Sequence, residues 1–428
     1  MSISEDWEVI VGFLPKGWRN MAEELGAHQR SRGFSSEDDL LRTLLIHFGE
    51  GCSLRETVVR AKEGGFADIT DVAFLKRLTN SGEWLQWMAR EVMNDWLGPI
   101  RLDTSDCPVR VRVIDGTTVQ PPGSKGTKWR IHYSMELSSL HCDEVKITGP
   151  KTAESFSNFT VGPGDLFMGD RVYAKAPAIH KTVSTGADVL VRIGLSSIVF
   201  EDEDGVRFGI LEHLRTLKYN RVGDWPVVIP YGDHRVFGRI CAVRKSKGAA
   251  KRARKKVQRE SSKKGRKTRP ETLEAAEYTF VFTTLDRSIP AETVLHIYRA
   301  RWQVELVFKR LKSLLGLGHL QHTNPVNAKA WLHGKLLLAF LIEAFRGVAA
   351  ILSPEDTEST RKRPRNRSIW RETRLMLHFL LQAINPTNPL LDRLRGWSSI
   401  SGALRERSRK RQLQMDSLLA ECAHPSLS

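Results

Sequence analysis

A mixed α/β fold with helical ends is what this sequence predicts, and three observations carry it. Apolar residues recur at helical spacing up to about residue 105 and again beyond about residue 286. From Val109 to about 285 they gather instead in short runs rich in Val, Ile and aromatic residues, closed by Gly, Pro or polar turns. Within that middle part strand patterns first follow one another and then alternate with helical ones, which requires parallel crossovers. A chain of 428 residues also exceeds the roughly 250 to 300 at which single cores stop growing, so more than one structural unit is expected.

The helical N-terminal region, 1–105, opens with Ser36 and Asp39 bracketing a first turn before Leu40, Leu41, Leu44, Leu45 and Phe48. A second capping box, Ser53 with Glu56, starts SLRETVVRAK, Gly64 and Gly65 end it, and Thr70 or Asp71 caps VAFLKRL. That pair of helices, with Lys76 and Arg77 on the second, fits either a helix-turn-helix reader of DNA or a plain bundle, since its connection is longer than usual. Trp84 and Trp87 are expected to fill a helical core.

Strands VRVID, WRIHYSMEL and EVKITG then form an antiparallel meander. A short helical segment near Glu154, strand DLFMGD, helix AKAPAIHKTVSTG and strand DVLVRI complete the order β-β-β-α-β-α-β over 106–194. That order matches the ribonuclease H-like fold, although other α/β sheets can carry it. A β-rich insertion at 195–285 is expected to hold SIVFED and VRFGIL around an Asp204-Gly205 turn, then PVVIPY, RVFGRICAV and EYTFVFTTL, with a basic loop at 244–269 before the last. One long helix, PAETVLHIYRARWQVELVFKRLKSLL, returns in the segment 286–322, and 323–428 is a helical C-terminal region around the charged linker SPEDTESTRKRPRNRS.

Composition narrows the function. Apolar content of 41% and charged content of 27% suit a globular protein, and a net charge of +17 favours a polyanionic partner, nucleic acid first. Fourteen Lys or Arg against the single acid Glu260 fall between Arg244 and Arg269, giving a DNA-tracking tract or a merely solvated loop. The cysteines at 52, 107, 142, 241 and 422 form no CxxC pair, which indicates neither zinc nor a disulfide framework. His319 and His322 lack further ligand types nearby and read as structural. MSISEDWEVI lacks the pattern of a signal peptide, and the most apolar stretch, Leu336 to Leu352, is broken by Glu343 and Arg346, as in a core helix. A cytoplasmic, nucleoid-associated protein without membrane contact is expected.

Asp115 closes VRVID and Asp170 closes LFMGD, so on neighbouring strands their carboxylates would converge at one sheet edge; singly, each reads equally as a turn residue. On one continuous helix Tyr298, Arg301, Glu305 and Lys312 fall within a 60° arc at 100° per residue. That stripe fits a salt-bridged face, Glu305 with Arg301 or Lys309, or a catalytic one bordering a core that includes Trp302 and Leu306. Three carboxylates would suffice for two Mg²⁺ ions about 3.5 to 4 Å apart, Mn²⁺ substituting, as phosphodiester chemistry requires.

At these residues the chain resembles the insertion-sequence 4 family of DDE transposases, marked by Y-(2)-R-(3)-E-(6)-K, which Tyr298, Arg301, Glu305 and Lys312 match at every spacing. VIDGTTVQPP and GDRVYA are similar to its two Asp motifs, with Val172 where glycine is commoner. The resemblance implies that Asp115 bridges both metals, that Asp170 and Glu305 hold one each, and that Tyr298, Arg301, Lys312, Lys309 and Arg171 contact DNA. It further implies water attack at an element end, then attack by the freed 3′-OH on target DNA. A homodimer pairing two ends of double-stranded DNA is the expected assembly. Trp225, Phe280 and Phe282 are candidates to hold a flipped base, or else core residues. Alternatives are a domesticated DNA-binding protein, a nuclease of the same fold, or a basic RNA-binding protein.

Overall fold

Side chains of Ser36, Ser53 and Thr70 accept the backbone N–H groups of Asp39, Glu56 and Ala73, and so start three of the six helices that precede the first strand. These six are α1 (Ile3–Val11), α2 (Trp18–Glu24), α3 (Glu37–Glu50), α4 (Leu54–Glu63), α5 (Asp71–Asn80) and α6 (Gly82–Trp96). Glu56 returns a bond to the Ser53 N–H, completing the expected capping box. Leu40, Leu41, Leu44, Leu45, Phe48 and Trp84 are fully buried, as their spacing requires. This computed structural model describes residues 3–29, 33–97, 109–353 apart from 122, 125, 127 and 220, 365–366, 368–384, 394–395, 397 and 406–407. Cys107, Cys422 and most of the charged linker after 353 lie outside the described residues.

β1 (Arg110–Val119), β2 (Trp129–Glu136) and β3 (Cys142–Thr148) form the meander. β4 (Asp165–Gly169), α7 (Ala176–Val183) and β5 (Asp188–Arg192) follow, with β4 parallel to both β1 and β5. The expected helical segment near Glu154 is a single 3₁₀ turn at Phe156–Asn158.

The next part departs from expectation in three places. VRFGIL contributes no strand: α8 (Ile210–Thr216) begins inside it, and SIVFED leaves only isolated bridges at Glu201. β6 (Val222–Tyr231), β7 (His234–Arg244) and β8 (Tyr278–Thr283) do form, and β8 pairs directly with β5. They extend one eight-stranded sheet, order β3-β2-β1-β4-β5-β8-β7-β6. The basic tract is a helix, α9 (Lys247–Lys263), followed by α10 (Pro270–Ala275), rather than a loop. Ser246 caps α9, and its Ala, Lys, Arg, Gln and Glu residues are strong helix formers, a preference that charge counting overlooks.

Beyond the sheet, α11 (Ala291–Arg299) and α12 (Trp302–Ser313) replace the single long helix, and α13 (Pro325–Leu352) and α14 (Ile369–Ile384) close the described chain. α13 packs along α6, α3 and α5, and α14 against α13, α1 and α3, so both helical ends share one core. Among the described residues no helix is long and apolar enough to cross a membrane.

Val113, Met168, Leu190 and Val281 face the core shared with α11 to α13, whereas Ile114, Phe167, Val189 and Val191 pack against α7, α8 and Phe156. β1, β4 and β5 all end at one edge of the sheet, and β7 runs in their direction because both it and β5 oppose β8. α9 therefore leaves the sheet at the edge where β1 and β4 present their C-terminal ends.

Candidate active site at the carboxylate edge of the sheet

Parallel pairing of β1 with β4 stops at Val113 opposite Met168, and Asp115 and Asp170 each stand two residues beyond that last pair. The two carboxylates are therefore level on adjacent strands, roughly 5 Å apart along the sheet. β1 itself runs on to Val119 against β2, so Asp115 marks the point where β1 leaves β4 rather than the end of the strand. Each Asp also accepts a local N–H at 2.8 Å, Asp115 from Gly116 and Asp170 from Val172, which fixes its rotamer and leaves its second oxygen available.

The expected stripe is interrupted. Backbone bonds from Ala300, Arg301, Gln303 and Val304 reach back three residues rather than four, a 3₁₀ junction between α11 and α12. Tyr298 therefore lies on α11, buried, and Arg301 at the junction. Trp302 is 40% exposed, so the helix is seated by Val304, Val307, Phe308 and Leu311, not by Trp302.

Arg301 joins the parts. Its Nη1 lies 3.4 Å from Asp115 Oδ2, and its Nη2 pairs with Glu305 Oε1. The i,i+4 ion pair read as one alternative is thus present, but the same guanidinium also reaches a strand residue that a solvated face would not touch. Lys312 Nζ donates to the Thr118 carbonyl at 3.2 Å, aligning α12 along β1. Lys309 lies over the Trp370 ring at 5.6 Å, and Arg171 is exposed beside Asp170, lying over Gly194.

Burial pushes the Asp115 carboxyl up to about 7, with the charges of Asp170 and Glu154 adding to it and the Gly116 N–H and Arg301 opposing. Burial likewise raises Tyr298 to about 12, so its phenol keeps its proton. No three Asp, Glu, His or Cys side chains among the described residues are already drawn together as a metal cage. Arg301, set between Asp115 and Glu305, balances their charges and holds Glu305 outward, with 44% of its side chain exposed.

Sequence reading missed Glu154, Tyr173, Arg192 and Lys245. Glu154 and Tyr173 lie near Asp115 and Asp170, while Arg192 and Lys245 form with Arg171 a set of mutually repelling cations beside Asp170. No spacing rule marks them, because three strands and a loop bring them together. Phe280 and Phe282 are core residues, and Trp225 packs on Phe208 and His213, which agrees with their core reading. His322 is buried against His47 at 3.4 Å, a structural role, while His319 is exposed.

Level carboxylates on a sheet edge, capped by an arginine-bearing helix and flanked by a basic one, define a class: an α/β enzyme that cuts DNA with the help of metal ions. The chain belongs to the DDE transposases, since the family model described as transposase DDE domain matches residues 107–341. It is 31% identical to InsL of insertion sequence element IS186A from Escherichia coli over 85% of this chain and 100% of that protein. Identity is also 31% to the transposase for insertion sequence element IS421 of Escherichia coli, with the same coverage of both chains. The transposase for IS231E of Bacillus thuringiensis is 25% identical over 54% of this chain and 55% of its own.

Proposed function

We propose that this insertion-sequence transposase cuts at the ends of its element and joins them to target DNA, with Asp115, Asp170 and Glu305 holding two Mg²⁺ ions for which Mn²⁺ substitutes. The observation that carries the reading is the level placement of Asp115 and Asp170 with Arg301 linking Asp115 to Glu305. Strand order β3-β2-β1-β4-β5, with β1, β4 and β5 parallel, supports a ribonuclease H-like core into which β6, β7, β8, α9 and α10 are inserted.

The donor set suits the ions. All three ligands offer the hard oxygen that Mg²⁺ prefers, and a carboxylate as desolvated as Asp115 is stabilised by a nearby cation. Two such ions, when bound, neutralise charge on the attacking and leaving oxygens of an in-line displacement. Glu305 turns inward from Arg301 to complete the set, and this frees the guanidinium to grip a phosphate as a bidentate fork. Lys312 supplies a point charge further along α12, and Tyr298, protonated at neutral pH, donates to a phosphate oxygen. Lys309 and Arg171 contact the DNA backbone on either side.

α9 tracks phosphates leading to this edge, and α4 with α5, where Lys76 is exposed, contacts the element end. Two copies pair two ends as a homodimer at the nucleoid. Water attack frees a 3′-OH, and that hydroxyl then attacks the target strand. Incubated with Mg²⁺ and DNA carrying the sequences that flank the coding region, the protein is expected to nick that DNA and join it to a second duplex. Nicking without any joined product would reduce the activity to that of a nuclease.

A further inference from the structure

The 3₁₀ segment before β4 is tied to the candidate site at three points that nothing above explains. Phe156 stacks on the Tyr173 ring at 5.1 Å between centroids. The Glu154 carbonyl accepts a bond from Lys175 Nζ at 2.6 Å, just after the turn that Asp170 caps. The Glu154 side chain lies so close to Gly116 that a Cβ there would meet its Oε1 at 2.8 Å. Gly116 directly follows Asp115, so Glu154 sits against the backbone of the first carboxylate from the opposite face of the sheet. Arg130 Nε lies 3.4 Å from Glu154 Oε1 and holds it there.

Tyr173 supplies the second observation. It is 0% exposed, yet its hydroxyl has no hydrogen-bond partner. Gly169 admits the ring closely, because a Cβ there would lie 2.9 Å from Tyr173 Cβ and Cγ. Burial raises this phenol, and the charges that raise it further are those of Asp115, Glu154 and Asp170, so the hydroxyl faces all three carboxylates. A buried O–H is costly to leave unpaired, and its surroundings here are acceptors only.

We propose that Tyr173 and Glu154 are positioning residues for the cation site, Tyr173 donating to the aspartates and Glu154 adding a fourth negative charge behind Gly116. The proposal rests on the assignment of Asp115 and Asp170 as cation ligands. Such outer partners fix ligand rotamers, and their removal weakens cation affinity by about 10- to 100-fold. A role confined to packing would leave that affinity unchanged, since Tyr173→Phe keeps the ring on Phe156.

The test is titration of the full chain with Mn²⁺ alone, by calorimetry, for wild type, Asp115→Asn, Tyr173→Phe, Glu154→Gln and Glu154→Asp, each paired with a cation-free melt. Expected are loss of binding in Asp115→Asn, weakening of about tenfold or more in Tyr173→Phe and Glu154→Gln, and partial recovery in Glu154→Asp, with melts near wild type. Asp115→Asn failing to bind Mn²⁺ while Tyr173→Phe and Glu154→Gln stay within twofold of wild type would overturn the positioning roles and leave the ligand assignment standing. Asp115→Asn binding like wild type would instead remove the ligand assignment, and this proposal with it. Should Tyr173→Phe fail to fold, Glu154→Gln and its Asp counterpart, at a half-buried position, decide the question.

Discussion

Arg301 Nη1 lies 3.4 Å from Asp115 Oδ2, and the two residues are 186 positions apart in the chain. This contact brings the second half of the signature helix pair onto the first strand of the sheet. An exposed i,i+4 pair with Glu305 alone would contribute only about 0.3 to 0.5 kcal/mol. If Arg301 serves only that pair, Arg301→Gln leaves activity intact. If it grips phosphate beside Asp115, single-turnover cleavage with Mg²⁺ falls at least about tenfold, equal to roughly 1.4 kcal/mol. Arg301→Lys should fall as well, because charge remains but the fork does not.

The helix α9 gives a salt-dependent prediction. Replacing Lys251, Arg252, Lys255 and Arg259 with Ala removes four charges from it while keeping helix formers in place. The slope of log K against log salt should flatten by roughly 0.9 for each phosphate that the variant no longer neutralises. An unchanged slope in gel shifts over a salt series would mean that α9 faces solvent without touching DNA.

Acid sensitivity follows from a buried histidine pair. Burial first, then His322 and Lys335, lowers His47 from its ordinary 6.5 to about 3, while Thr57 Oγ1 lies 3.1 Å from its Nδ1. Below pH 6.5 the unfolded chain takes up a proton that the folded chain refuses, so the stability is intact above 6.5 and declines as pH falls toward 3. By pH 5 this group alone costs about 2 kcal/mol. His333 and His141 shift in the same direction. His47→Gln should show a shallower loss of chemical-denaturation stability between pH 6.5 and 5 than wild type; identical slopes would contradict the assignment.

Shared packing of the helical ends is open to a stability test. A Cβ at Gly334 on α13 would lie 2.1 Å from Phe48 Cε2, and Phe48 of α3 is fully buried with no space to retreat. Gly334→Ala should therefore lower stability by about 1 to 3 kcal/mol through overpacking. A melt at or above the wild-type temperature would show that α3 and α13 do not pack as described.

Much of this architecture was legible in the chain because its signals are local. Ser53 and Glu56 satisfy each other within one turn, and Asp115 and Asp170 follow apolar runs that only strands explain. What was hidden depends on partners distant in sequence or on propensity masked by charge. The helix α9 looked like a loop because its apolar face is only Ala and Val, and α8 looked like a strand because VRFGIL alternates. The break between α11 and α12 carries no proline or glycine, and Glu154 reaches the site only through folding of the segment before β4.

The most direct test of the central claim compares cleavage with binding in Asp115→Asn, Asp170→Asn and Glu305→Gln. Phosphate contacts lie elsewhere on the surface, so gel-shift affinity for a DNA end should stay within a few fold of wild type. Mg²⁺-dependent nicking of that same end should vanish in all three. Nicking at the wild-type rate in any one variant would contradict the assignment of that residue as a ligand, and nicking retained in all three would place the active site elsewhere.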